Sequence, residues 1–142
     1  MNTRHFSQLP KPYLAYPKVI QGLIFKKPKG EQVLPQVEYV VDQFNVDQKH
    51  LITYNQVCGY QNNGEVPATY LAVISQSLQM HMMAHEAFPF AMLGLVHIRN
   101  QVKQFRKVAV TENLTLSCKF GELKPHDKGL QFDFLTTVKV AG

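Results

Sequence analysis

The chain has 142 residues, 45% of them hydrophobic and 18% charged, and a formal net charge of +5. These totals describe an ordinary soluble globule with a real core in one domain. No apolar run reaches the roughly 18 residues of a membrane span, and the N-terminus lacks the apolar centre of a signal peptide, so a cytoplasmic protein is expected.

Residues 1–30 hold Arg4, Lys11, Lys18, Lys26, Lys27 and Lys29 and no acid, while the rest of the chain is close to neutral. The basic character therefore belongs to an N-terminal arm. Pro10, Pro12, Pro17 and Pro28 argue against a long helix there. Tyr13, Tyr16, Val19, Ile20, Leu23, Ile24 and Phe25 are too apolar for a free tail. The arm is expected to pack on the body, with a short turn of helix near Val19 to Phe25. Such an arm suits an anionic, phosphate-bearing ligand better than nucleic acid, because the aromatic and glycine patterns of single-strand binders are missing.

The body is residues 31–142. Val33 to Val46 reads as a strand, with Val37, Tyr39 and Val41 on one face. Asp47 is a plausible N-cap for a helix over Gln48 to Val57, on which Leu51, Tyr54 and Val57 share a face, and Gly59 ends it. Tyr60 to Val66 is a loop containing the turn pair Asn63-Gly64. Pro67 to His85 then reads as a helix of about five turns. Leu71, Ile74, Leu78, Met82 and His85 recur at helical spacing, and the only polar run, Ser75 to Ser77 with Gln79, is uncharged. A helix this apolar is expected to be buried. Three strands are expected after Pro89. Val96, Ile98, Asn100 and Val102 form one face of the first. Leu114, Leu116, Cys118 and Phe120 form one face of the second, and Leu130, Phe132, Phe134, Thr136, Val138 and Val140 one face of the third. Lys124 to Gly129 links the last two as a hairpin. Cys58 and Cys118 are read as buried free thiols.

Strand, short helix, long buried helix and a strand meander make an α+β layout. It describes a hotdog fold, a curved antiparallel sheet wrapped around a long central helix. A lone curved sheet leaves an edge unpaired, so a homodimer, or pairing with a second hotdog half, is expected.

Few residues can carry chemistry. His97 and Arg99 share a strand face, and the positive potential of Arg99 favours a neutral histidine that can act as a base; a backbone-satisfied strand histidine is the plainer reading. Arg99 can meet a phosphate or carboxylate, and Asn100 needs polar partners on an apolar face. Glu65, just before the central helix, is the other catalytic candidate, against the plainer reading of a solvated loop acid. Tyr70, Met80 and Met82 are candidates for lining an acyl-chain site, with core filler the competing reading of the methionines. Asp42, Asp47 and Glu86 complete the acids within reach of a cleft. His81 and His85 have zinc-like spacing but no glutamate after the first, so no metal is expected.

Two stretches, Tyr54-Asn55-Gln56-Val57-Cys58-Gly59 and Gly94-Leu95-Val96-His97-Ile98-Arg99-Asn100, the latter followed by Phe105-Arg106-Lys107-Val108, resemble the MaoC-like acyl dehydratases (R-specific enoyl-CoA hydratases). The likeness covers roughly Val37 to Gly142. It implies an acyl thioester of coenzyme A or a carrier protein as substrate or ligand, and no other cofactor. Active members of that family follow the Gly with Asp and then x-Asn-Pro-x-His, a pair that holds the water adding to the enoyl thioester. Here Tyr60 follows Gly59, and residues 61–70 contain no histidine. Some members are long chains of two hotdog halves, one of which lacks the pair and holds the acyl group. This chain resembles such a dyad-less N-terminal half. Two alternatives stay open: a hotdog acyl-CoA thioesterase using Glu65 or Glu86, and a non-enzymatic binding or assembly module.

Overall fold

The computed structural model describes residues 2–25 and 32–140. The basic close of the arm, Lys26 to Gly30, lies outside the described residues, as do the side chains of Leu23, Ile24 and Phe25 and the final Ala141-Gly142. Four strands form one sheet in the order β1 (Asn2–Phe6), β2 (Val37–Phe44), β3 (Leu114–His126) and β4 (Gly129–Val140). Among the described residues three α-helices, α1 (Tyr16–Phe25), α2 (Gln48–Cys58) and α3 (Ala68–Met83), and a short 3-10 helix (Pro12–Ala15) accompany it. This is the expected α+β hotdog fold.

β2, β3 and β4 pair antiparallel, with Tyr39 opposite Cys118 and Leu116 opposite Val138. Alternation does what the sequence pattern requires, because inward side chains recur every second residue. Val37, Tyr39 and Val41 of β2 and Leu114, Leu116 and Cys118 of β3 are buried in one cluster with Leu71, Ile74, Leu78 and Met82 of α3. Each such side chain contributes about 1.5–3 kcal/mol on burial. Toward the β3–β4 hairpin the core continues as an aromatic group. Phe88 stacks on Phe120 at 5.5 Å, and Phe132 lies edge-on to Phe88 at 5.6 Å and to Phe134 at 5.4 Å.

The long helix begins and ends close to where Pro67 and Ala84 would place it, with Pro67 as its N-cap and Ala84 as its C-cap. His85 falls outside the helix. Ser75 and Ser77 are buried along with the apolar stripe. The Ser75 hydroxyl donates to the carbonyl of Ala72 and that of Ser77 to the carbonyl of Pro10, so neither leaves a lone polar group in the core. α2 has the expected ends. Asp47 accepts from the backbone N–H groups of Lys49 (2.9 Å) and His50 (3.1 Å), and Gly59 closes the helix at φ 74°.

Four expectations need correction. The arm carries a strand, β1, which pairs parallel to β2, and a helix, α1, longer than the single turn expected. Pro17 sits in the first turn of α1, where its missing N–H costs nothing. The buried face of α2 runs through Leu51 and Asn55, not Leu51, Tyr54 and Val57; Val57 is 82% exposed. Cys118 is buried but Cys58 is exposed. Last, two strands and not three follow Pro89 among the described residues. The stretch expected as the first strand, with His97, Arg99 and Asn100, is irregular and lies outside the sheet, and its side chains from Leu93 to Lys107 are exposed. A period-two pattern makes a strand only where another strand supplies hydrogen bonds, and among the described residues none lies beside it.

Candidate functional site: the junction of the second and third helices

α2, the turn from Gly59 to Pro67 and the start of α3 bring a set of polar side chains together. Tyr70 is buried, and its hydroxyl shares a hydrogen bond of 2.9 Å with Nδ1 of His50. Burial, with the Asp47 carboxylate adding to it, pushes the Tyr70 phenol up to about 12. The Tyr54 hydroxyl donates to Thr69 Oγ1 at 2.9 Å, and the Tyr60 hydroxyl meets the same oxygen at 3.0 Å. The Tyr54 and Tyr60 rings stack at 6.2 Å, and Tyr54 lies edge-on to Tyr70 at 5.2 Å. Burial also raises the Tyr54 phenol above its ordinary value.

The turn is braced from both sides. Asn55 Nδ2 donates to Asn62 Oδ1 at 2.8 Å, and the Glu65 N–H donates to Asn63 Oδ1 at 3.0 Å. Gly64 takes φ 81°, the left-handed conformation an Asn-Gly turn needs. Val66 N–H donates to the Val108 carbonyl and Val110 N–H to that of Gly64. Beyond them Arg106 forks onto Glu112 at 2.8 and 3.1 Å, which with the Ala109 N–H holds the Glu112 carboxyl below its usual range. Against this frame lies a cavity of about 150 Å³ lined by Gln48, Leu51, Ile52, Asn55, Asn62, Gly64, Glu65 and Val110.

Of the residues singled out from sequence, Glu65 and Tyr70 lie at this junction. Glu65 Oε1 accepts from Lys107 Nζ at 2.8 Å, an exposed ion pair. Met82 is fully buried in the core and Met80 half-buried on α3. His97, Arg99 and Asn100 are not brought to the junction by any hydrogen bond among the described residues; His97 Nε2 donates to the Arg99 carbonyl at 2.8 Å, within its own exposed segment. His81 Nε2 donates to the Lys11 carbonyl, tying α3 to the arm. Asp42 faces His5 at 2.7 Å, a pair more than half exposed that clips β1 to β2. Among the described residues no three His, Cys, Asp or Glu side chains are placed to hold a metal ion.

His50 and Thr69 escaped the sequence reading, in which Asn55 and Tyr60 stood only as part of the motif around Gly59. The i, i+4 spacing of Leu51 and Asn55 was the available signal for Asn55. The others meet through side-chain contacts between α2, the turn and the start of α3.

No family model matches the chain. It is 30% identical over 113 residues to 3-hydroxyacyl-thioester dehydratase X of Mycobacterium tuberculosis, a match covering 80% of this chain and 40% of the relative. The crystal structure of that dehydratase, HtdX, superposes with a TM-score of 0.68 at 29% identity, over 73% of this chain and 45% of the other. Over the matched region, the chain is similar to this dehydratase, in line with the resemblance to the MaoC-like hotdog dehydratases. It spans less than half the length of the relative it matches.

The junction includes the turn after Gly59, where the family resemblance implies an Asp/His pair. The residue after Gly59 is Tyr60, hydrogen-bonded to Thr69. Between Gln61 and Tyr70 the only ionisable side chains are Glu65, held by Lys107, and Tyr70, protonated at any ordinary pH. Such a set donates and accepts hydrogen bonds.

Proposed function

We propose that this chain is a hotdog unit that binds an acyl thioester of the hydratase/dehydratase class without supplying the Asp/His pair of that reaction. The observation carrying the reading is the turn after Gly59, where Tyr60 engages Thr69 and residues 61–70 hold no histidine, within a fold matched to a 3-hydroxyacyl-thioester dehydratase. The catalytic pair then comes from a second hotdog unit. The exposed, strand-patterned stretch from Leu95 to Val102 supports that pairing: Val96 is 79% and Ile98 63% exposed, and unpaired apolar strands of this kind are interaction surfaces.

The test is direct. The isolated chain is mixed with crotonyl-CoA, binding is followed by calorimetry, and hydration by the loss of enoyl-thioester absorbance. Binding with negligible turnover is expected. Robust hydration by this chain alone would overturn the reading, as would the absence of binding.

A further inference from the structure

The N-terminal arm is docked on the body by one side. The Ser77 hydroxyl donates to the Pro10 carbonyl and His81 Nε2 to that of Lys11, so α3 holds the start of the arm at two points. Ala15, at the end of the 3-10 helix, and Val19, four residues on in α1, are buried and share a face. The arm is therefore anchored, and what its other side shows to solvent is a property of the fold. That other side is apolar. Tyr13, Leu14, Tyr16 and Ile20 are each 50–59% exposed. Tyr13, Tyr16 and Ile20 are spaced three and four apart, one stripe of the helical run from Pro12 into α1. Single exposed apolar side chains are ordinary, but four between Tyr13 and Ile20 on an anchored helix form a contact surface.

The charge on this surface has one sign. Lys11 and Lys18 flank the stripe, both exposed, and residues 1–30 hold no acid. Lys11 Nζ lies 5.8 Å from the centre of the Tyr13 ring. Tyrosine and lysine around an aliphatic side chain match the boundary between water and lipid: the rings sit at headgroup level, and the lysine stems lie along apolar surface while the ammonium groups meet phosphate. One sign of charge with no carboxylate to fix a register suits a continuous anionic surface better than a protein face of mixed charge. Among the described residues no helix is long and apolar enough to cross a membrane, so such a contact lies in the plane of the surface. We propose that the outer face of the arm, from Lys11 to Gln21, rests on an anionic lipid surface, with Tyr13, Tyr16 and Ile20 among the headgroups and Lys11 and Lys18 on their phosphates. The inference stands apart from the thioester reading, because vesicles that carry no thioester suffice to test it.

The test uses the full chain and sedimented vesicles of two compositions: phosphatidylcholine alone, and equal parts of phosphatidylcholine and phosphatidylglycerol. Binding to the anionic vesicles is expected to be about 10-fold tighter than to the neutral ones, and to weaken as salt screens the lysines. Ile20→Asp puts an acid on the stripe and is expected to lower binding to the anionic vesicles about 10-fold, and Lys18→Gln to lower it by a smaller factor. Both positions are exposed, so the unfolding midpoint of each variant should match wild type. Tyr16→Ser carries the test if Ile20→Asp does not fold. Equal binding to the two vesicles, no binding to either, or binding untouched by Ile20→Asp and Tyr16→Ser would overturn the proposal. So would self-association of the lipid-free chain that Ile20→Asp abolishes, which would assign the face to a second copy.

Discussion

The hydroxyl of Tyr70 and Nδ1 of His50 lie 2.9 Å apart, so a core residue of α3 is hydrogen-bonded to the first turn of α2. Tyr70→Phe keeps the ring and removes that bond. A loss of about 1 kcal/mol is expected from urea denaturation. A change below a few tenths would mean the bond contributes nothing net.

Alkaline pH separates two buried groups. Tyr70 is raised from an ordinary 10.0 to about 12, and Cys118 from 9.0 to about 11, both chiefly by burial. Raised values mean that the fold favours the protonated forms. Their contribution is whole below the unfolded values and is lost as pH climbs through the folded ones. Unfolding free energy is therefore expected to fall from pH 9 to pH 12, with Tyr70→Phe flattening only the part above 10. Identical slopes above pH 10 in the two proteins would contradict this.

The ends of α2 hold the junction in place. Asp47→Ala removes an acceptor from two backbone N–H groups and is expected to cost about 1 kcal/mol. Gly59→Ala meets no atom within 4 Å but must hold φ 74°, at a cost of about 1–2 kcal/mol. Thermal melts of the two variants check both figures, and a neutral Gly59→Ala would show that the turn relaxes.

α3 has a hard face and a soft one. Leu78 is fully buried and Val73 is 42% exposed. Leu78→Ala is expected to lose about 2–5 kcal/mol and Val73→Ala no more than about 0.5. Equal losses would mean the helix is packed all round.

The stretch around Ile98 bears on pairing rather than on the unit's own stability. Ile98→Lys is expected to leave the unfolding midpoint of the isolated chain unchanged, within about 0.5 kcal/mol. It should abolish association with a second hotdog unit in sedimentation. A destabilised isolated chain would show that Ile98 packs within the unit.

Local pattern was sufficient wherever one residue's chemistry settles its own backbone. Asp47 and Gly59 bracket α2, Pro67 opens α3, and alternation assigns the inward residues of β3 and, from Phe132 to Val138, of β4, though Leu130 and Val140 at its ends are exposed, because capping, ring constraint and the two-residue pleat act over a few positions. The stripe of Leu71, Ile74, Leu78 and Met82 likewise marked its buried face in advance. Pairing could not be read this way. Leu95 to Val102 carries as clean an alternation as β4, yet has no ladder among the described residues, and Asn2–Phe6 carries none, yet forms an edge strand beside β2. Hydrogen-bond partners far along the chain decide such cases. The same holds for the junction. The motif around Tyr54 and Gly59 marked the turn as the place to look, and the missing Asp and His were legible there. That His50 meets Tyr70, that Tyr60 meets Thr69, and that Asn55 is buried beside Asn62 follow only from the tertiary contacts between α2, the turn and the start of α3.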